Sequence, residues 1–501
     1  MNYLDYICTI KKYVDSLKEY KIINMVESIY LVRGFAKTDI TIGRSDIDII
    51  VILNRNYEEE LKKKLRIFGD VYKKISGSNN ILSSPKLVFP DEFLNKFYYH
   101  SCSWGIPLHL ESELVFGKNQ VRKQYFDHIN IKTALYSELL LQMTRSFFWQ
   151  TSNLFKNNFF IFHTKLERRI YFAYIWLKYG MYIISQQDIY NFLSNTPLIQ
   201  NKFLKLQITN ELRPMDSNFF FEMIKFYKHL INQIPLNEIA KNNKVKYSII
   251  EELDLLKDRK ILSKLRYNLS FKGGEIYFYR EWRDSWCKSK SSQNKCYLFF
   301  VIKDLNFKEL QNIIKSIKNY YKKIIRIVKF DYLGIIPESI FIKFISYNLP
   351  ITGAYFNCLD PMDKIFKGDI KKGIAKNIVY SYYNYKKDYC SRLFFVPKTI
   401  NEFNDPVYKL CSLLSDILFL KDNLLIFYPL NVFKEFISRY PDYLMLKDKE
   451  FELITNLLSQ KKQISFSENI YPFINEIIFN CIYNNELKFE NCLEREKIQS
   501  P

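Results

Sequence analysis

Two stretches of this chain repeat one another in order, and a chain built that way is expected to fold as one unit occurring twice. Residues 50–57 (IVILNRNY) match 300–307 (FVIKDLNF), 90–97 (PDEFLNKF) match 337–344 (PESIFIKF), and 114–123 (LVFGKNQVRK) match 364–373 (KIFKGDIKKG). The offset holds at about 250 residues through all three matches. Each first match leads into a helical pattern, 58–74 in one copy and 308–323 in the other, and each copy is followed by aromatic-rich helical segments. Four domains are therefore expected: 1–118, 119–245, 246–372 and 373–501.

Glycine narrows the fold further. Only 13 of 501 residues are Gly, far below the average of about 7%. That disfavours Gly-rich dinucleotide-binding folds and loop-heavy β architectures. Aromatics reach 17%, with 42 Phe and 38 Tyr, which suits large aromatic cores in an α+β protein. With 48% hydrophobic and 25% charged residues, the chain is neither disordered nor collagen-like.

Nine scattered cysteines with no CxxC pair point to reduced thiols and a cytoplasmic setting. The five histidines have no metal-ligand spacing. Residues 1–20 carry Asp5, Lys11, Lys12, Asp15 and Lys18 and read as no signal peptide. The greasiest stretches, 169–184 and 417–433, are broken by Lys178 and by Lys421 and Asp422, so no spanning helix is expected. The formal charge is +21. It fits a polyanionic partner, either nucleic acid or a nucleoside triphosphate, and equally fits lysines spread over solvated faces.

The chemistry is concentrated in 31–53, LVRGFAKTDITIGRSDIDIIVIL. Its second half, 45–53, has the Ile/Val run of a strand. Strand alternation puts Asp46 and Asp48 on one face and Ile47 and Ile49 on the other. Two neighbouring carboxylates repel unless a cation lies between them. Mg²⁺ answers that need, because it prefers carboxylate and phosphate oxygens. Paired ions on such acids serve phosphoryl and nucleotidyl transfer.

This segment resembles the nucleotidyltransferase superfamily that includes DNA polymerase beta, and in particular its small aminoglycoside-nucleotidyltransferase-like members. Their pattern reads Gly-Ser, a spacer, then Ser-Asp-x-Asp and a hydrophobic strand. Ser45, Asp46, Ile47 and Asp48 fit it without a gap. The resemblance implies an α+β mixed-sheet domain followed by a helical domain that forms the acceptor side of a cleft. It implies a two-ion Mg²⁺ site on Asp46 and Asp48, an NTP donor, and a hydroxyl-bearing acceptor. The family's Gly-Ser falls on Arg33 and Gly34, so its serine hydroxyl is absent, and a later glycine falls on Thr38. Arg33, Gly34, Lys37, Thr38 and Ser45 are the expected nucleotide-binding residues. The family's third acid is sought on a neighbouring strand. The candidate strands 86–89 and 106–110 offer Lys86 or Pro107 there, so Glu111 is taken as the third catalytic acid, with Glu113 next. Glu138 and Glu167 are candidate bases from the helical segment.

In the second copy Asp46, Ile47 and Asp48 align with Cys296, Tyr297 and Leu298, so no carboxylate pair remains. Helices are expected at 131–150, 166–184, 219–234, 406–419, 430–439 and 451–458, the second buried on all sides. Residues 236–268 read as helix-turn-helix-like, either a basic connector or a DNA reader. The leading expectation is a metal-dependent enzyme moving a nucleoside monophosphate from an NTP to a hydroxyl. Two others stand beside it: a non-catalytic nucleotide-binding or scaffold protein with an eroded site, and a transferase acting on RNA or DNA 3′ ends.

Overall fold

The computed structural model describes residues 3–32, 46–79, 81–90, 112–120, 128–156, 159–160, 164–183, 185–209, 213–234, 248–250, 260, 263–265, 267, 274–280, 296–303, 306–327, 332–348, 400–422, 424–426, 429–459 and 470–483. The chain opens with helix α1 (Tyr3–Glu19), which buries Tyr6, Ile10, Tyr13, Val14 and Leu17 at helical spacing. Strand β1 (Val26–Val32) runs antiparallel to β2 (Asp48–Leu53). Helix α2 (Glu58–Asn79) then crosses over to β3 (Lys86–Val88), which is parallel to β2. β4 (Glu113–Gly117) lies antiparallel along the other edge of β1, giving the order β3-β2-β1-β4. β2 and β3 bury every residue, and β1 all but Glu27. Covered on both faces, β2 after Asp48 reads as an unbroken Ile/Val/Leu run rather than as alternation. Gly117 ends β4 at φ +84°, where a Cβ would stand 1.9 Å from Glu27 O, so this rare glycine is sterically required.

Helices follow: α3 (His128–Lys156), α4 (Thr164–Tyr179), α5 (Gln186–Ser194), α6 (Lys202–Thr209) and α7 (Ser217–Asn232). Residues 170–175 of α4 are all buried, as its apolar circumference requires. Ser185 caps α5 through Asp188 N, and Asp216 caps α7 through Phe219 N at 2.7 Å. The aromatic core joins Phe147 to Phe220 and Tyr227, and Phe203 to Phe219 and Phe226. A short ribbon pairs β5 (Phe159–Phe160) with β6 (Arg213–Pro214).

The helix-turn-helix expectation for 236–268 is corrected at its centre. Ser248–Ile250 is a strand, β7, paired in parallel with Leu424–Ile426 far along the chain. Two β-branched residues favour that pairing over a helix.

A second sheet takes β8 (Gly274–Arg280) antiparallel to β9 (Cys296–Ile302), and helix α8 (Phe307–Ile327) leads to β10 (Tyr332–Pro337), parallel to β9. Its order is β10-β9-β8. Each sheet thus contains an antiparallel pair followed by a helical crossover to a parallel strand, with equal pair connections at 33–47 and 281–295. α3 packs on this second sheet: Thr151 Oγ1 accepts the Ile335 N–H at 3.1 Å, and Phe148 lies edge-on to Phe299. Gly334 admits that ring, since a Cβ there would fall 2.7 Å from Phe148 Cδ1.

The remaining elements are α9 (Glu338–Asn348), α10 (Ile400–Asp422), β11 (Leu424–Ile426), α11 (Pro429–Arg439), α12 (Asp448–Ser459) and α13 (Ile470–Tyr483). The chain divides into two compact units, Met1–Ala134 with Ile378–Ile417 and Pro429–Pro501, and Leu135–Asn377 with Leu418–Tyr428. The helices that follow the first sheet therefore belong with the second, and most of those that follow the second belong with the first. The protein is α+β, predominantly helical, with small sheets of which the first two are mixed. Among the described residues no helix is long and apolar enough to cross a membrane.

The close approach of Phe148 to Gly334 yields a test. Gly334→Ala should cost about 1–3 kcal/mol through overpacking, and about 0.5 kcal/mol or less when Phe148 is already Ala. Chemical denaturation of the four proteins of that cycle measures it.

Candidate functional site

β2 starts at Asp48, which pairs with Val32, the last residue of β1. Just before it, Ile47 N donates to Ile81 O at 2.7 Å, Ser83 N donates to Ile47 O at 3.0 Å, and Ile47 bridges Leu82 in parallel. Pairing resumes at Ile50 with Lys86, so β3's side carries one extra residue between the two pairings. That irregularity brings Ser83 beside Asp48. Ser83 Oγ lies 2.8 Å from Asp48 Oδ1 and 3.0 Å from Ile47 O. Asp48 is 7% exposed, whereas Asp46 is exposed. The sequence suggests the Asp46/Asp48 pair but gives no sign of Ser83, whose place depends on a pairing shift between distant segments.

Register assigns the faces. Val32, Tyr30, Ile50, Lys86 and Asp48 share one side, while Leu31, Ile49 and Leu87 share the other. Lys86 is 3% exposed. It stands one strand over from Asp48 and one side-chain repeat further into the sheet. Glu113 pairs with Leu31, on the far side of β1 and on the opposite face. It begins β4 and does not join the Asp48 face. Tyr30 anchors the end of the sheet by donating to Asn119 Oδ1 and accepting from Gln120 N at 2.6 Å.

Of the expected site residues, Arg33, Gly34, Lys37, Thr38, Ser45 and Glu111 lie outside the described residues, as does Pro107. Among the described residues no group of three or more His, Cys, Asp or Glu side chains gathers. Asp46 stands two residues before Asp48, ahead of the strand, and carboxylate oxygens are the donors that a hard divalent ion takes.

The two candidate bases sit in the other unit. Glu138 accepts from Gln142 at 3.0 Å and pairs with Arg169 at 3.7 Å, a role in holding α3 to α4. Glu167 is 1% exposed, close enough to act on Tyr171, Tyr190 and Tyr227. Burial, then the Glu167 carboxylate, pushes the Tyr190 phenol up to about 12. Tyr227 is raised by the same two causes in the same order. No known protein family, curated protein or solved structure matches the chain.

Two tests follow from these interactions. Ser83→Ala removes a hydrogen bond to a buried carboxylate and should lower stability by about 1–3 kcal/mol in denaturant titration. A tyrosine whose folded pKa is raised stabilises the fold fully below its unfolded pKa of about 10, and that stability is lost as pH rises toward the folded value. For Tyr190 the window runs from about 10 to about 12. Phenolate absorbance should therefore lag that of free tyrosine, and Tyr190→Phe should reduce the loss of stability across the window.

Proposed function

We propose that the N-terminal sheet carries a metal-dependent nucleotidyl-transfer site, moving a nucleoside monophosphate from an NTP to a hydroxyl acceptor. The observation that carries the reading is the pair of carboxylates at the mouth of β2, Asp46 exposed and Asp48 fixed by Ser83. The resemblance of 31–53 to nucleotidyltransferases supports it, as does the strand pair and crossover in which those carboxylates sit.

Asp46 and Asp48 would hold Mg²⁺, which supplies charge neutralisation of the triphosphate and of the leaving pyrophosphate. Ser83 keeps the Asp48 carboxylate aimed along its strand face, so little reorganisation is left for the reaction. Lys86 adds positive charge to the same face, where it favours an anionic substrate.

The second sheet reads as a duplicated copy without this chemistry. The order of its strands, their directions and the equal connections support duplication. Counted from the paired strand ends, Cys296 takes the place of Asp48; counted from the sequence match, Leu298 does. Neither is a carboxylate. Lys86 on the strand next to Asp48, where relatives carry an acid, favours a second reading, a nucleotide-binding protein without turnover.

Pyrophosphate release from each NTP with Mg²⁺ separates the two. Asp46→Asn should lower turnover by about 100-fold or more and leave the thermal melt unchanged. Full activity in that variant, with the melt intact, would sink the catalytic reading. NTP binding without pyrophosphate from the native chain would establish the second.

A further inference from the structure

The outward side of α8 has a composition that the second sheet's packing does not need. Leu310, Ile314, Ile317 and Ile324 are buried and fix the inner side of the helix. Lys308, Asn312, Lys315, Asn319, Lys322 and Arg326 are all exposed, and their alternating steps of four and three place them on one continuous stripe. Lys323 lies beside it, also exposed.

The stripe contains no acid. The helix's one carboxylate, Glu309, is committed to a capping box: Asn306 N donates to Glu309 Oε2 and Glu309 N donates to Asn306 Oδ1, both at 3.0 Å. Among the described residues no acid forms an ion pair with Lys308, Lys315, Lys322, Lys323 or Arg326. The crossover helix of the first sheet differs. There Lys64 pairs with Glu60, and Lys74 with Glu19 at 2.9 Å. Like charges left unneutralised along a helix repel one another, and an external polyanion relieves that repulsion.

The geometry selects the polyanion. At about 1.5 Å per residue the stripe is roughly 27 Å long. Its cations form a row and do not converge, so one compact triphosphate cannot engage them together. The phosphates of a nucleic-acid strand, one for each ~3.4 Å of rise along a duplex axis, can. A membrane surface fits less well, because an interfacial helix needs a free apolar face to insert, and that of α8 is buried in the protein. Interleaved amides on Asn312 and Asn319 suit phosphate and sugar oxygens.

We propose that the outer face of α8 binds the phosphate backbone of a nucleic acid. This gives the second sheet, whose middle strand has no acid pair at its start, a binding role of its own.

The test uses the full chain and a fluorescein-labelled 20-nucleotide RNA, with DNA of the same sequence in parallel, titrated by fluorescence polarisation over a series of KCl concentrations. Neutralising Lys315, Lys322, Lys323 and Arg326 together to Gln should weaken binding at least tenfold. It should also flatten the slope of log K against log[KCl] by about 0.7 for each phosphate that loses its cation. The control changes four exposed lysines elsewhere, Lys11, Lys12, Lys434 and Lys449, to Gln and should keep the native slope. Circular dichroism establishes that both variants are folded.

The proposal is overturned if the native chain binds neither nucleic acid, if the α8 variant keeps the native slope, or if the control loses as much. It is also overturned if the α8 variant loses binding to phosphatidylserine vesicles alone. Pyrophosphate release from NTP without nucleic acid should be the same in the α8 variant as in the native chain, so failure here is separate from failure of the transfer reading.

Discussion

All six residues of β2 are buried, five of them apolar, and the strand begins with a carboxylate. Burying a charge in such a strand costs several kcal/mol unless hydrogen bonds or an opposite charge compensate. The remainder of the first sheet is arranged around that need. The parallel pairing of 47–52 with 82–88 takes in an extra residue at its start, and this places Ser83 against Asp48. Lys86 then follows on the same face. Asp46, outside the paired region, is exposed and needs no such support. The result is one anchored acid and one accessible acid, with a lysine behind them.

The second sheet follows the same route without that constraint. Its equivalent strand begins at Cys296, and nothing in it requires a hydroxyl or a lysine for compensation. Its demands are steric: Gly334 yields space to the Phe148 ring, and Thr151 satisfies an amide of β10. Its crossover helix, freed of acids on the outer side, carries a stripe of cations interleaved with amides, whereas on the first sheet's helix Lys64 pairs with Glu60 and Lys74 with Glu19. The two sheets share a topology and differ in where their charge lies, at a strand mouth in one and along a helix in the other.

Much of the local structure was legible in the sequence. The Ile/Val run after Ser45, the 58–74 and 308–323 helical patterns and the apolar circumference of 170–175 each follow from periodicity and burial within one segment. Where a partner lies far along the chain, the pattern was silent or misleading. Ser248–Ile250 reads as part of a helical run until Leu424–Ile426 pairs with it. Glu113 stands next to Glu111 as a candidate acid until pairing with β1 turns it from Asp48.

Residue type and short-range spacing settle the acid pair, its position at the entrance of an apolar strand, the absence of such a pair in the second copy and the scarcity of glycine. Those are properties of residue type and of period-two or period-3.6 spacing, which a short segment carries alone. Pairing and packing over long range settle that Ser83 holds Asp48, that Lys86 shares its face while Glu113 does not, and that the helices after the first sheet, and most of those after the second, group with the other sheet. Each of those depends on pairing register or packing between segments far apart in the chain, and a shift of one residue in register would send every side chain to the opposite face.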